Sequence, residues 1–149
     1  MPSSNWVFVD TNILIYADDQ ADAFKQERAQ TWLARLWGER TGRVSTQVLN
    51  AYYVNVTQKN NFGLKTGDAR AKVRRFQLWQ PWLIDHATVE TAWGIEARFG
   101  FSYAESLIVA SAAHSGCKYL LSDDMQHLQQ IDSVKIINPF LLPADEVLA

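Results

Sequence analysis

The chain has one cysteine, no surplus of basic residues and no long apolar run, and each shortage excludes something. Cys117 has no partner for an internal disulfide and no second thiol for a metal pair. Its setting in Ser115-Gly116-Cys117-Lys118, between a helix and a strand, predicts a structural role. Fourteen Lys and Arg stand against 16 Asp and Glu, giving a net charge of −2 and a pI of about 5.9. Such a protein does not coat nucleic acid indiscriminately; binding a polyanion needs a local basic patch or metal ions. No apolar stretch approaches membrane-spanning length, so no membrane partner is expected. Met1-Pro2-Ser3-Ser4-Asn5 is polar and Asp10 interrupts the first apolar stretch, so no secretory leader is expected and the reducing cytoplasm is the natural compartment. His86, His114 and His127 are scattered and form no ligand pattern. No Ser/His/Asp arrangement and no phosphate-binding glycine loop is evident.

What is present describes a folded α/β domain. Apolar residues make up 48% and charged residues 20% of 149 residues, which suits one globular domain, 1–149. Trp6 to Val9 reads as a buried strand, and Thr11 or Asn12 is placed to cap a helix over Ile13 to Ala17. A helix is predicted from about Ala21 to Trp37, then a short strand at Arg43-Val44-Ser45. Thr46 is placed to cap a helix from about Gln47 to Lys59, with Val48, Leu49, Tyr52, Tyr53 and Val56 on one arc. At roughly 100° per residue, Ala51 falls about 60° from Val48, just outside that arc. Asn60-Asn61-Phe62-Gly63 breaks the chain, and a basic amphipathic segment runs from Lys65 to Trp79. Trp82-Leu83-Ile84 reads as a brief strand, followed by helices from about Ala87 to Phe99 and from Tyr103 to Ala113. Strands at Tyr119 to Leu121 and Val134 to Ile137 close the domain. Short strands alternating with helices imply a mostly parallel sheet.

Acidic residues sit where such a sheet collects its chemistry. Asp10 follows the strand Val7-Phe8-Val9, and Asp124 follows Tyr119-Leu120-Leu121-Ser122-Asp123. Glu105 opens the apolar helix that begins at Tyr103. These three converge only if the first strand and the strand at 119–121 lie side by side. Gathered carboxylates repel one another unless a cation neutralises them, and oxygen-only ligation suits Mg²⁺ or Mn²⁺. A metal-dependent hydrolase is the reading these residues favour.

Several segments together resemble PIN-domain ribonucleases, and among them the VapC-type toxins of bacterial toxin–antitoxin modules. They are Phe8-Val9-Asp10-Thr11-Asn12-Ile13-Leu14, Ser45-Thr46-Gln47-Val48-Leu49-Asn50, Ser102-Tyr103 through Ile108-Val109, Leu120-Leu121-Ser122-Asp123-Asp124-Met125-Gln126-His127 and Ile136-Ile137-Asn138-Pro139-Phe140. The resemblance implies a PIN-like three-layer α/β fold, with a short central, mostly parallel sheet flanked by helices. It implies a four-acid site that uses Mg²⁺ or Mn²⁺ to cut RNA. The first acid matches Asp10 and the fourth Asp124; the third, usually aspartate, falls on Glu105. The second, a glutamate, falls on Ala51, so activity is expected to be greatly reduced. Asp123, Asn12 and Ser122 are expected as auxiliaries. The resemblance also implies an antitoxin partner and a homodimer, with the helices Ala21 to Trp37 and Gln47 to Lys59 as candidate surfaces.

Plainer roles compete. Asp10 can cap the following helix, Ser102-x-x-Glu105 matches a capping box, and Asp123 and Asp124 suit a turn. Ala51 by itself is a good helix former. The basic run from Lys59 to Arg75 is ordinarily a solvated face; as a substrate path it would use Arg74 and Arg75. A non-catalytic PIN module that binds RNA or an antitoxin is the rival reading, and a structure-specific DNA nuclease is a third. A haloacid-dehalogenase-type phosphatase wants aspartate where Asn12 stands.

Overall fold

A computed structural model describes residues 5–58 and 63–148. The break expected at 60–62 and the helix end expected at Lys59 lie outside the described residues. The first strand, β1 (Val7–Val9), is fully buried and lies inside the sheet, in keeping with its unbroken apolar triplet. It is flanked in parallel by β2 (Gly42–Arg43) and β3 (Tyr119–Leu121), and β3 in turn pairs in parallel with β5 (Val134–Ile137). The order is β2-β1-β3-β5-β4, with β4 (Gln130–Ile131) antiparallel to β5. That two-residue strand has no apolar pattern and was not expected. Trp82 makes only an isolated parallel bridge with Ser45, so the strand expected at 82–84 does not form. Pro81 lies beside the bridge, and the left-handed backbone of Gln80 precedes it.

Helices cover the sheet: α1 (Thr11–Asp18), α2 (Ala23–Glu39), α3 (Thr46–Thr57), α4 (Thr66–Phe76), α5 (His86–Phe99), α6 (Tyr103–His114) and a terminal turn, α7 (Ala144–Val147). Side-chain caps start most of them: Asp22 for α2, Asp85 for α5 and Ser102 for α6. Ser45, not Thr46, caps α3, because its hydroxyl accepts from the Val48 N–H at 3.2 Å. α6 is buried on most sides, in keeping with its nearly uniform apolar composition. Among the described residues, no helix is long and apolar enough to cross a membrane.

One glycine is required by close approach. A Cβ on Gly42 would sit 2.4 Å from the Trp79 ring, so the indole packs directly on β2. Trp79, Trp37 and Phe76 form a ring cluster there, with centroids 4.7 to 5.3 Å apart. This cluster seats the end of α4 on α2.

Candidate active site

The register of β1 and β3 builds the site. Val9 is opposite Leu121, so the next residues, Asp10 and Ser122, leave the sheet level with each other. The Asp10 N–H still donates to the Leu121 carbonyl at 3.0 Å, and the Ser122 N–H to that of Ile137 at 3.1 Å. The backbone is therefore fixed up to the residues that carry the carboxylate and the hydroxyl.

Asp10 is the N-cap of α1, in place of the expected Thr11 or Asn12: the Thr11 N–H donates to Oδ1 at 2.7 Å. Its other oxygen accepts from the Ser122 hydroxyl at 2.7 Å and from Asn12 Nδ2 at 3.4 Å. The same Asn12 amide donates to Asp124 Oδ2 at 2.9 Å, so one side chain bridges two carboxylates. Asn12 Oδ1 accepts from the Asp123 N–H at 3.3 Å, and Ser122 Oγ from the Asp124 N–H at 3.2 Å. Capping and clustering thus coexist at Asp10.

Electrostatically the site is unbalanced. Asp10 is only 4% exposed, and its pKa is raised to about 6, chiefly by burial. Hydrogen bonds from Ser122 and Thr11 oppose the rise, while the charges of Asp124 and Glu105 add to it. Among the described residues no cation is paired with it. Glu105 therefore lies close enough to be felt, yet its Oε1 is turned back to the Ser102 N–H at 3.3 Å in a complete capping box. Among the described residues, no three His, Cys, Asp or Glu side chains are grouped closely enough to hold a metal ion.

The Asp123 carboxylate has partners of its own, outside the other acids. Lys25 Nζ donates to its Oδ2 and Asn138 Nδ2 to its Oδ1, both at 3.2 Å. Lys25 also donates to the Tyr16 hydroxyl at 3.3 Å and sits over the Tyr16 and Phe140 rings. Lys25 and Asn138 have no counterpart among the expected site residues. Lys25 is one of three cations on an amphipathic helix, and nothing in its spacing points across 98 positions to Asp123.

Ala51 lies half-buried on α3, one turn beyond Gln47. Gln47 Nε2 donates to the Ala104 carbonyl at 3.1 Å, next to Glu105, and the Thr11 hydroxyl reaches the Val48 carbonyl at 3.5 Å. These bonds hold the first turn of α3 against the starts of both α1 and α6. Gln47 Oε1 is buried there without a hydrogen-bond partner. Arg74 and Arg75 face different grooves: Arg74 lines one with Asn50, Tyr53 and Arg70, whereas Arg75 lies over the Trp37 ring at 4.4 Å.

Known proteins agree with this architecture. The VapC20 toxin of Mycobacterium tuberculosis, described as cleaving the sarcin-ricin loop, is similar with a TM-score of 0.59 and 21% identity, over 79% of this chain and 91% of its own. A toxin–antitoxin complex from Klebsiella pneumoniae gives 0.63 and 17%, over 89% and 97%. VapBC2 from Rickettsia felis, bound to a DNA fragment from its promoter, gives 0.57 and 15%, over 87% and 96%. No curated protein matches. At these identities the likeness speaks for the fold. The family model described as "PIN domain" matches residues 7–133, a span that holds Asp10, Ala51, Glu105 and Asp124, and the chain belongs to the PIN domain family.

Proposed function

We propose that this chain is an endoribonuclease of a toxin–antitoxin pair, disarmed at Ala51. One observation carries the reading: a buried carboxylate, Asp10, stands beside Asp124 at the ends of adjacent parallel strands with no cation of its own. A fold that only needed a helix cap would find one in exposed serine or asparagine at lower cost. The arrangement makes sense where an external cation is received.

Asp10 and Asp124 offer hard oxygen donors, which fit Mg²⁺ or Mn²⁺ in kind. They fall short in number, since Ala51 has only a methyl group and Glu105 is engaged with Ser102. A divalent ion at such a site would orient water and stabilise charge on a phosphodiester. The chain's own contribution is positioning: Ser122 and Thr11 fix Asp10, Asn12 spaces Asp124 from it, and Asp123 is kept out of the cluster by Lys25 and Asn138. The rival reading, a PIN module that binds RNA or antitoxin without cutting, is favoured by the same alanine.

The test is RNA cleavage with Mg²⁺ or Mn²⁺ by this chain and by Ala51→Glu. Restoring the carboxylate is expected to raise cleavage by about 10²-fold or more, the range for one electrostatic group in an active site. Inactivity of both on structured and single-stranded RNA, with cleavage of neither, would leave the binding module.

The proposed partner is an antitoxin, a reading supported by two similar structures that contain toxin–antitoxin assemblies, and the cytoplasm is the proposed compartment. A groove of about 480 Å³ between α1, α2, α3 and α4 suits an apolar segment with polar ends. Leu14, Leu33, Trp37 and Phe76 line it, and Lys72 and Arg75 lie at its margin. A homodimer is also proposed; Phe24 on α2 and Val54 on α3 are more than half exposed and suit such a contact.

A further inference from the structure

Among the described residues six arginines have no carboxylate partner: Arg28 donates to the Pro139 carbonyl, and the other five lie on α4 and around the end of α2 and β2. Among the described residues, Lys25, Arg35, Lys72 and Arg98 are paired with acids, whereas Arg40, Arg43, Arg70, Arg74 and Arg75 are not. Arg70 and Arg74 line the groove between α3 and α4. Arg75 lies over Trp37, and Trp37 is also a wall of a separate cavity of about 430 Å³ beyond the end of α2. Arg40, Arg43, Leu78, Trp79 and Gln80 complete that cavity, with no acid among them. It sits by the start of β1, where Val7 pairs with Gly42, at the opposite end of the strand from Asp10.

Three features make it a site and not a gap. Trp79 is 3% exposed, and its indole N–H is buried without a hydrogen-bond partner, as is the Thr41 hydroxyl beside Gly42. Arg43 is fixed by a 4.0 Å stack on Trp6 and by donating to the Gly42 carbonyl at 2.7 Å, so its charge is held in place without being neutralised. Arg40 ends α2 at φ 59°, where glycine is the low-strain residue. Leu78 stands 76% exposed at the cavity, giving an apolar surface beside the cations. A fixed guanidinium group, a second arginine beside it and an apolar face together match a phosphate with its attached nucleoside.

Resting on the nuclease reading, we infer that the Arg40–Arg43 cavity is an accessory site for the RNA strand, binding backbone phosphate remote from the acids. A polyanion is the occupant because the cavity presents Arg40 and Arg43 with no acid, and Arg70 and Arg74 line a further groove between α3 and α4 that could hold more of the same strand.

The experiment is binding of a labelled single-stranded oligoribonucleotide in EDTA across a salt series. The full chain is compared with Arg40→Gly, with Arg40→Gln plus Arg43→Gln, and with Arg98→Gln, which removes one positive charge away from the cavity, as a control. The double variant is expected to bind about tenfold more weakly at low salt. Its log–log salt slope should be shallower by about 1.4, the release expected from two single-strand phosphates. Arg40→Gly separates folding from binding, because relief of the left-handed backbone should raise its melting temperature by about 2–4 °C while RNA binding weakens. If both variants bind like Arg98→Gln, the accessory site is overturned and the nuclease reading stands. Should the parent chain bind no RNA at any salt, the reading itself fails and takes the site with it. Oligoglutamate that depends on Arg40 and Arg43 while RNA does not would assign the cavity to an acidic protein and overturn the inference.

Discussion

The two ends of α1 carry aspartates that solve the same problem in opposite ways. Asp10 stands at the N-terminus, where the helix dipole and the Thr11 N–H favour a negative charge. Asp18 ends the helix, where the dipole opposes one. Yet Asp18 is the settled residue: Lys72 from α4 pairs with it, and the Tyr52 hydroxyl from α3 donates to it. Burial and that carboxylate push the Tyr52 phenol well above its ordinary pKa, so the phenol stays a donor. Asp10 has the better backbone position and the worse balance, because burial outweighs every hydrogen bond it accepts. A carboxylate with its cation built in serves the fold. One kept buried without a cation is, on the proposed function, suited to something that arrives from outside.

The sharpest way to break this contrast is Asp10→Asn. Asparagine caps helices as well as aspartate does, and it carries no charge to desolvate. The unfolded carboxyl titrates near 3.8 and the folded one near 6, so between these values the folded state binds more protons. Stability of the parent therefore falls as pH rises through that window and is flat above it. The span corresponds to about 3 kcal/mol, which the variant regains at pH 8. Thermal melts of parent and Asp10→Asn should differ by about 6 °C or more at pH 8 and converge near pH 4. Equal melting temperatures across the range would remove the claim that Asp10 is held at a cost.

A smaller and opposite effect is expected at the other end. Tyr52→Phe keeps the buried ring and removes the donor to Asp18, leaving the exposed Lys72 as that residue's cation. The loss should be about 1.5 kcal/mol, the ordinary worth of a hydrogen bond to a charged group, read from denaturant midpoints. Unlike Asp10→Asn, it should be a loss at every pH from 5 to 8. A stabilised Tyr52→Phe would mean that Asp18 is as strained as Asp10.

Much of this architecture is legible in the letters. Tyr119 to Leu121 and Val134 to Ile137 form strands as expected, because short apolar β-rich runs between polar turns admit few alternatives. The convergence of Asp10 with Ser122 and Asp124 follows once β1 and β3 are adjacent. Other features depend on partners that spacing cannot show. The strand expected at Trp82 is reduced to one bridge, since Pro81 and the preceding left-handed turn give it no ladder to join. The capping box at Glu105 was visible as Ser-x-x-Glu, and the structure gives the local bond and the electrostatic effect on Asp10 together. Asp123 read as a neighbour of the cluster because it adjoins Asp124. Its orientation is decided by Lys25 and Asn138, each distant in sequence.

That last network tests whether a surface cation can matter to a buried site. The Lys25 amine is partly exposed; burial lowers its pKa, and the bonds to Tyr16 and Asp123 outweigh this and raise it. At 29% and 21% side-chain exposure the pair is screened by solvent, so Lys25→Met should cost no more than about 1 kcal/mol. The loss should shrink as salt rises, since screening weakens the parent's ion pair but has nothing to weaken in the variant. The local consequence is more specific than the global one. Without Lys25, the Asp123 carboxylate keeps only the Asn138 amide, and the segment from Ser122 to Asp124 is held by one side chain fewer. Amide exchange at Asp123 and Asp124 should then quicken more than at Leu120, which lies inside the sheet ladder. Equal exchange at all three positions would show that the β3 ladder alone sets the position of Asp124, and that Lys25 belongs with Lys72 as a cation of the fold.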